Sequence, residues 1–267
     1  MPSETPEPRP AATGLKVCLL ASGSKGNCIC VSDGETTVLV DAGLSGREIQ
    51  RRLQQQGVRP ADLAGIVVSH EHADHIQGVG VLARRFDLPV YVNRRTFGAG
   101  TPWGKIPSLN YFECGQAFEI NDMRIHPFSV PHDAEDPAGF TLCTREFKIG
   151  IATDLGYATT TVKEHLKNCT LMVVEANHDP QMLDNGPYPW PLKQRIKGRT
   201  GHMSNRDCRR LLGELAHGDL RCVILAHLSE TNNCPQRALS EVGEVLRPQC
   251  TRLLVATQDA GCPWVRL

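Results

Sequence analysis

The chain has 267 residues with 29 basic and 29 acidic side chains, so its formal net charge at pH 7 is zero. This length is enough for one large domain or two small ones. Because no global basic field attracts nucleic acid, a nucleic-acid partner would need a local basic patch. The chain contains no run of 18 apolar residues, so we expect no membrane span.

The N-terminal segment and the cysteines bear on where the protein works. Residues 1–14 (MPSETPEPRPAATG) are Pro-rich and polar and have no apolar signal-peptide core. They predict a disordered leader ahead of a single domain at residues 15–267. Eleven cysteines lie mostly singly in apolar segments rather than in CxxC pairs. We interpret them as free buried thiols in a reducing cytoplasm, in preference to disulfides or a thiolate metal site.

The first half of the chain is predicted to be mainly strands. Apolar runs bounded by turn residues predict strands at 16–21, 28–33, 36–43, 64–69, 88–93, 110–114, 123–130, 139–144 and 147–154. Ser45 and Glu48 form a capping-box pattern that opens a helix to about residue 56, and a second helix is expected over 75–86.

The second half alternates helices and strands. The pattern predicts helices at 159–167, 204–216 and 236–246. It predicts strands at 170–177, 221–229 and 251–258, the last of which closes the chain, and an irregular stretch from 178 to about 203. The strands thus form two groups, with helices in each half. We therefore predict an α/β fold of two mixed sheets packed face to face with helices outside, a four-layer sandwich.

Potential metal ligands are concentrated in the segment His70-Glu71-His72-Ala73-Asp74-His75, directly after an apolar strand. Neutral imidazole and carboxylate are suitable ligands for zinc, manganese or iron. On a loop, His70 and His72 could serve one cation, and Asp74 and His75 a second. The alternative is a solvated polar loop, but four potential ligands in six residues argue against it.

Three further candidate ligands follow predicted strands: His132 in SVPHDA, Asp154 in IGIATDLG and His227 in VILAHLS. Each alone is a moderate signal, because a buried histidine is more often satisfied by a hydrogen bond than by a metal. Together they complete two predicted sites, with Asp154 as the bridge. The ligands of these sites are His70, His72 and His132 for the first, and Asp74, His75 and His227 for the second.

This ligand set resembles that of the metallo-β-lactamase superfamily, and its HxHxDH form is similar to that of the dinuclear hydrolases. The oxygen-reducing diiron branch has an acidic residue where His72 stands here, so the resemblance favours hydrolysis. Further segments resemble, in chain order, the YycJ/WalJ family of bacterial exonucleases: ASGSKGNCICV, VVSHEHADHIQGV, VPHDA, ATDLG, VEANHD, YPWPLKQRIKGRTGHMSN, LAHLSETNN and VATQD. The resemblance implies an αββα sandwich and a DNA exonuclease.

A basic segment narrows the substrate class. Four cationic side chains lie within seven residues of an otherwise neutral chain: Lys193, Arg195, Lys197 and Arg199. Alternating basic residues in an irregular loop could follow a nucleic-acid backbone, although a solvated charged loop is the alternative. His202 follows, just before the predicted helix cap at Ser204, where backbone N–H groups favour phosphate. GHMS resembles the GHS element of ribonuclease Z, which implies a role for His202 in proton transfer.

Weaker candidates for substrate contact lie in two other segments. His178 follows a strand in VEANHDP and could reach the same cleft, or it could be a turn residue stabilised locally. The turn SGSKGN offers Lys25 and Asn27 to phosphate, although Gly-rich turns are common.

These residues together predict a dinuclear metal-dependent phosphodiesterase, a 5′→3′ exonuclease acting on duplex DNA ends in the cytoplasm. A hydroxide bridging two transition-metal ions would attack phosphorus, with Asp74 and His202 as the catalytic residues. The alternatives are an RNA-processing nuclease of ribonuclease Z type, a thioester or lactone hydrolase, and a non-catalytic regulatory module. The chain lacks the long Gly/Lys-rich arm of ribonuclease Z, which argues against an RNA-processing nuclease. The full set of seven candidate ligands argues against a non-catalytic module, which would not need them.

Overall fold

The computed structural model describes residues 14–267, so the predicted leader at residues 1–14 lies outside the described residues except for Gly14. Within this range the strands are β1 (Lys16–Ala21), β2 (Cys28–Ser32), β3 (Thr37–Val40), β4 (Gly65–Val67), β5 (Pro89–Asn93), β6 (Ser108–Phe112), β7 (Phe118–Ile120), β8 (Met123–Ser129), β9 (Ala138–Cys143), β10 (Lys148–Ala152), β11 (Leu171–Glu175), β12 (Cys222–Ala226), β13 (Arg252–Val255) and β14 (Cys262–Arg266). The α-helices are α1 (Gly46–Gln55), α2 (Ala73–Ile76), α3 (Val79–Phe86), α4 (Arg94–Gly98), α5 (Thr160–Leu166), α6 (Pro180–Asn185), α7 (Trp190–Lys197), α8 (Asn205–Leu215) and α9 (Pro235–Gly243).

The strands form two seven-stranded sheets. The first has the order β14-β1-β2-β3-β4-β5-β6 and the second has the order β13-β12-β11-β10-β9-β8-β7. Strands β3 to β6 are parallel in the first sheet, and β10 to β13 are parallel in the second. The remaining neighbours are antiparallel. Both sheets are therefore mixed, as predicted.

Three buried apolar clusters separate the layers. Along β1, Val17 and Leu19 join the cluster that draws on both sheets and contains Phe140. Cys18 and Leu20, which point the other way along the strand, join the cluster that includes α1 and α3. A third cluster joins the second sheet to α5, α8 and α9. This helix–sheet–sheet–helix arrangement confirms the predicted four-layer α/β sandwich.

Two predictions about helices were wrong. The stretch predicted to be irregular before residue 203 contains α6 and α7, each of which has proline in its first turn, where the missing N–H costs nothing. The helix predicted over 75–86 is divided into α2 and α3 at Gly78. A Cβ at Gly78 would lie 2.5 Å from the Leu44 carbonyl oxygen, so the break lets two backbone segments approach closely.

The C-terminal end of the chain also differs from the prediction. The chain does not close on the strand predicted at 251–258, because β13 is followed by β14. Strand β14 pairs antiparallel with β1 at the edge of the first sheet. Strand β14, from the second half of the sequence, therefore extends the sheet that is otherwise formed by strands of the first half.

The backbone is unusual at three strand ends, two of which carry the predicted ligands Asp154 and His227. Six non-glycine residues among those described have positive φ, and three of them are Asp41, Asp154 and His227. Each directly follows, or lies within two residues of, the end of a strand, namely β3, β10 and β12. Residues with a Cβ adopt this conformation at a cost, and such costs concentrate at functional sites.

Two further sequence-based expectations concern membranes and thiols. In the part of the chain that the structure describes, no helix combines the length and apolarity needed to cross a membrane. All eleven cysteines are free, and seven of them are buried. Burial raises the pKa of the Cys208 thiol, which keeps it protonated. These findings agree with the interpretation of the cysteines as free thiols that are mostly buried.

Gly43 marks the closest approach of three backbone segments beside the candidate ligands. Its N–H donates to the Asn27 carbonyl oxygen at 2.8 Å, and the Asn27 N–H donates to the Asp74 carbonyl oxygen at 2.7 Å. A Cβ at Gly43 would lie 1.6 Å from that same Asp74 oxygen. Only glycine allows the loop after β3 to pack this tightly against α2.

We therefore expect Gly43→Ala to lower the free energy of unfolding by about 1–3 kcal/mol, because the backbone at Asp74 must move. Gly98→Ala is the matched control, since a Cβ there meets no atom within 4 Å, and it should change stability by less than ~1 kcal/mol. The measurement is urea unfolding of both variants. Equal stability of the two would show that the loop yields without cost.

Candidate functional site

Three imidazoles lie close together where loops from the two sheets meet. His70 lies in the loop after β4, His72 caps α2, and His132 lies in the loop after β8. His72 Nδ1 is 3.2 Å from His70 Nε2 and 3.3 Å from His132 Nε2. One ligand atom from each residue lies within 4.8 Å of the others. The three residues predicted for the first site therefore lie together in a group that could hold a metal ion.

A second group lies beside the first. His75 Nε2 and His227 Nε2 are each 3.6 Å from Asp74 Oδ2. Asp154 lies between them, with Oδ2 3.4 Å from His75 Nε2 and Oδ1 3.4 Å from His227 Nε2. Asp154 also belongs to a possible ligand group with His70 and His75. The structure thus brings all seven sequence-predicted metal ligands into one cluster, with Asp154 next to both histidine groups.

The ring orientations are held by hydrogen bonds at the opposite nitrogens. The partners of Nδ1 are Ser69 Oγ at 2.9 Å for His70, Asp41 Oδ2 at 2.8 Å for His75, the Gly201 carbonyl oxygen at 3.2 Å for His132, and Glu175 Oε1 at 3.1 Å for His227. Each bond leaves Nε2 directed into the cluster. Carboxylate or carbonyl acceptors behind a histidine fix its tautomer and raise its basicity as a metal ligand.

The cluster fits a divalent cation by its unsatisfied atoms and its charge. Asp154 Oδ2 and His227 Nε2 are buried and have no hydrogen-bond partner, a costly state unless something else binds them. Burial alone would raise the pKa of the Asp154 carboxyl, but the imidazoles of His227 and His75 outweigh it and hold the pKa well below its usual range. Imidazole nitrogens and carboxylate oxygens are ligand atoms that divalent transition metals bind in proteins.

Glu175 is a residue of the site that sequence reasoning missed. It ends β11, is fully buried, and its Oε2 accepts the backbone N–H groups of Leu155 and Met203. Its Oε1 contacts His202 Nδ1 at 2.7 Å as well as His227. Burial would raise its pKa, but His202 and His227 lower the pKa to about 2. The available signal was a carboxylate that ends an otherwise apolar strand.

Asp41 was missed for a similar reason. It follows β3, the chain's third apolar run, and its side chain is buried. Its two oxygens accept the Ser69 backbone N–H at 2.8 Å and the Ser69 hydroxyl at 2.7 Å, in addition to His75 Nδ1. Asp41 therefore connects the loop after β3 to the loop that carries His70 and His75.

His202 lies against the seven predicted ligands and forms a further group that could hold a metal ion with Asp154, Glu175 and His227. Its ring centroid is 5.1 Å from those of both His132 and His227, and its Nδ1 is 4.0 Å from Asp154 Oδ1. Burial lowers the pKa of His202, but the Glu175 carboxylate outweighs it, so the pKa is raised. With Nδ1 bonded to Glu175, Nε2 is the nitrogen left for a substrate.

The basic segment forms most of α7, a helix with no buried residue. Lys193 Nζ donates to the Asp184 carbonyl oxygen at 2.7 Å, and Lys197 pairs with the Asp184 carboxylate. Arg195 pairs with Asp133 at 2.6 Å. The guanidinium of Arg199, beyond the helix, lies 4.6 Å from the centre of the Tyr157 ring. Lys193 and Lys197 thus share the Asp184 side, while Arg195 and Arg199 have other partners. Contact of the four cations with phosphate stays a prediction.

A cavity of about 180 Å³ opens between α7 and the cluster, and we call it the cleft. Its lining includes His202, Arg195, Tyr188, Asn177, Ser24 and Ser229. Among the four predicted basic contacts, only Arg195 lines the cleft. This placement follows from the helix, because residues two apart on a helix face different sides.

The weaker candidates are placed as follows. Lys25 is exposed and pairs with Glu230 at 2.6 Å. Asn27 is buried, and its Nδ2 lies 3.1 Å from His75 Nε2 and 3.3 Å from Asp74 Oδ2. His178 is also buried, its Nδ1 has no partner, and burial lowers its pKa to about 4. The roles of these three residues toward a substrate stay predictions.

Comparison with known proteins gives the following relatives. The model of the beta-lactamase superfamily domain matches residues 36–228. Exodeoxyribonuclease YycJ of Bacillus anthracis is 39% identical over 236 residues, which are 87% of this chain and 89% of the relative. Exodeoxyribonuclease WalJ of Streptococcus pneumoniae is 37% identical over 230 residues, 84% of this chain and 86% of the relative.

Solved structures share the fold at low sequence identity. The metallo-beta-lactamase fold protein YhfI from Bacillus subtilis superposes with a TM-score of 0.76 at 17% identity, covering 96% of this chain and 100% of the other. Human tRNase Z, short form, superposes with a TM-score of 0.64 at 14% identity, covering 94% and 98%. At these identities the likeness concerns the fold alone.

We expect Glu175→Gln to weaken zinc binding by about 10–100-fold, because the amide no longer supplies the charged acceptor that orients His227. Affinity is measured by competition with a chromophoric chelator. Asp207→Asn is the control, since Asp207 bonds Ser204 at the start of α8 and lies outside the cluster. An unchanged affinity in Glu175→Gln would show that Glu175 does not support the metal ligands.

Proposed function

This chain belongs to the beta-lactamase superfamily and is a metal-dependent hydrolase, and on that premise we propose that it is a 5′→3′ exonuclease acting on duplex DNA ends. The observation that carries the proposal is the position of His202. It lies beside a seven-residue ligand cluster, is bonded to a buried carboxylate, and faces a cleft that a basic helix borders. The names of the curated relatives, both exodeoxyribonucleases, agree with this substrate class.

Two divalent transition-metal ions are assigned to the cluster, either zinc, manganese or iron. His70, His72 and His132 would hold the first, Asp74, His75 and His227 the second, and Asp154 both. Such ions, when bound, supply Lewis acidity: they lower the pKa of a coordinated water and neutralise charge on a phosphoryl oxygen. Asp154 supports the sharing because it forms one candidate ligand group with His70 of the first site and His75 of the second.

His202 is assigned the proton transfer. In phosphodiester hydrolysis, water adds to phosphorus, the bond from phosphorus to the leaving oxygen breaks, and that oxygen gains a proton. Glu175 raises the pKa of His202 against the effect of burial, so the imidazole retains a proton to donate. Because Nδ1 is bonded to Glu175, donation would occur from Nε2. Asp74 is the other predicted catalytic residue, through its part in the second metal site.

The positive charge of α7 supports a DNA substrate, and the free cysteines support a cytoplasmic location of the protein. Arg195 at the cleft would contact a phosphate of the DNA, with Lys193, Lys197 and Arg199 adding positive potential along α7. His178, Lys25 and Asn27 are further candidate contacts. The free state of all eleven cysteines supports a reducing compartment, the cytoplasm.

Side-by-side turnover separates the proposed activity from its rivals. Protein loaded with zinc or manganese is incubated with end-labelled duplex DNA, precursor tRNA and a thioester. The proposal requires that DNA is shortened from its 5′ ends at the highest rate. Preferential cleavage of tRNA would indicate an RNA-processing nuclease, preferential thioester hydrolysis would indicate that class of enzyme, and no turnover would indicate a regulatory module.

His202→Ala should slow single-turnover cleavage of duplex DNA by about 10²–10⁴-fold, because loss of a positioned proton donor acts in the transition state. Metal content and DNA affinity should stay near wild type, since the other residues complete both sites. His217→Ala is the control histidine, bonded to the Cys169 carbonyl away from the cluster. A rate within a few-fold of wild type, with metals intact, would remove His202 from the chemistry.

Arg195→Ala should lower the log–log salt slope of DNA binding by about 0.9, as expected for one lost phosphate contact. Lys193→Ala is the matched control on the same helix, because its amino group bonds the Asp184 carbonyl outside the cleft, so its slope should change less. The slopes come from fluorescence-anisotropy titrations at several salt concentrations. Identical slopes in wild type and Arg195→Ala would mean that the cleft side of α7 does not meet the DNA backbone.

A further inference from the structure

A second cavity, of about 560 Å³, borders the ligand cluster at Asp74 and has the size of a small-molecule site. Its lining includes Glu71, Ile76, Val81, Thr101, Pro102 and Trp103. It shares Ser24 with the cleft, but His202 does not line it. Asp154 lies between the two cavities, since it faces His202 on one side and the histidines that contact Asp74 on the other.

Unsatisfied polar atoms are concentrated around this second cavity. Nine buried side-chain atoms of the described residues have no hydrogen-bond partner, and three of them are Glu71 Oε2, Thr101 Oγ1 and Trp103 Nε1. They comprise an acceptor, a hydroxyl that can donate or accept, and a donor. Outside the ligand cluster itself, no comparable group surrounds either cavity. All three atoms are shielded from solvent, so a ligand in the cavity forms hydrogen bonds to them only if the lining side chains shift.

The walls of the second cavity favour a flat, largely apolar ligand. Val81 is 46% exposed and is one of three exposed large hydrophobic residues in the described range. Together with Ile76 and Pro102 it offers apolar surface that a ring can cover. The charged side chains of the lining are mixed, because the carboxylates of Glu71 and Asp74 stand beside the cations of Lys25 and Arg84, so a phosphate on the same ligand is tolerated. A nucleoside fits this chemistry, because its base has apolar faces and polar edges and its sugar carries hydroxyls.

We propose that the second cavity binds the nucleoside that stays bonded to phosphorus when the diester is cut. This inference rests on the proposed function. Two nucleosides flank a scissile phosphate at the cluster, and the one that leaves carries the oxygen that His202 protonates, so it lies on the cleft side. The retained nucleoside then lies on the Asp74 side, with its base against Val81 and Pro102.

Calorimetric titration of the metal-loaded protein tests the site without turnover. The probes are thymidine 5′-monophosphate and 2-deoxyribose 5-phosphate, which carry the same phosphate and differ only by the base. The nucleotide should bind about tenfold more tightly. Val81→Glu should reduce this ratio to near one, whereas Gln55→Glu, the same change of charge at the end of α1 and outside the cavity, should preserve it.

Fluorescence gives a second, direct measurement. The chain has three tryptophans, so Trp190→Phe combined with Trp264→Phe leaves Trp103 as the reporter. Its emission should change on addition of thymidine 5′-monophosphate and stay constant with 2-deoxyribose 5-phosphate. If Trp103 does not respond to the nucleotide, the base does not enter this cavity and the inference is overturned.

The outcomes separate the inference from the function on which it rests. If the protein shortens duplex DNA but binds both probes equally, the assignment of the cavity fails and the nuclease proposal stands. If it binds the nucleotide more tightly but hydrolyses no phosphodiester, the nuclease proposal fails and the cavity is a nucleotide site of another activity. Binding of neither probe would count against both.

Discussion

Three buried carboxylates set among buried imidazoles are the interaction on which this site depends. Asp41, Asp154 and Glu175 are each at most 4% exposed, and burying a lone carboxylate would cost several kcal/mol. Each is instead bonded to, or within 3.4 Å of, a histidine, and Asp41 and Glu175 also accept backbone N–H groups. The result is a set of rings whose inward nitrogens are oriented before any ion arrives.

The sandwich matters because the candidate ligands come from both of its sheets. The segment with His70, His72, Asp74 and His75 follows β4 of the first sheet, and the other candidates follow strands of the second. Direct bonds tie the two sides together: the His227 N–H donates to Ser22 Oγ at 2.7 Å, and the Ala138 N–H donates to the Ser69 carbonyl oxygen at 3.0 Å. These bonds and the apolar cluster between the sheets fix the positions of the candidate ligands when the chain folds. Metal binding therefore does not have to supply the entropic cost of bringing these residues together.

Charge is distributed locally in a chain whose net charge is zero. On α7, Lys193 and Lys197 turn toward Asp184, while Arg195 borders the cleft and is partly neutralised by Asp133. On the other side of the cluster, the second cavity combines the apolar side chains of Ile76 and Val81 with charges of both signs. The two cavities therefore differ chiefly in that only the cleft is lined by His202.

The sequence by itself determined the layered fold and predicted which seven residues would lie together as candidate ligands. An HxHxDH segment after an apolar strand, together with His132, Asp154 and His227 at other strand ends, was sufficient to name seven residues that the structure brings together. The reason is that polar residues at the ends of apolar strands break a strong local pattern, and strand ends share one edge of a sheet. Alternating apolar runs likewise indicated the two mixed sheets, which the structure confirms.

Only the tertiary structure decided which residues support those ligands and which way the basic side chains face. Glu175 and His202 are 27 positions apart, and Asp41 and His75 are 34 apart, so no local period relates them. The prolines of residues 187–191 led us to predict an irregular stretch where α7 lies. Without that helix, the sequence could not show that Arg195 faces the cleft and that Lys193 and Lys197 face Asp184. The second cavity is formed by segments brought together by packing, from the Ser24 turn to Trp103. Contacts between distant segments depend on how sheets and loops pack, and that information is not contained in any short window of sequence.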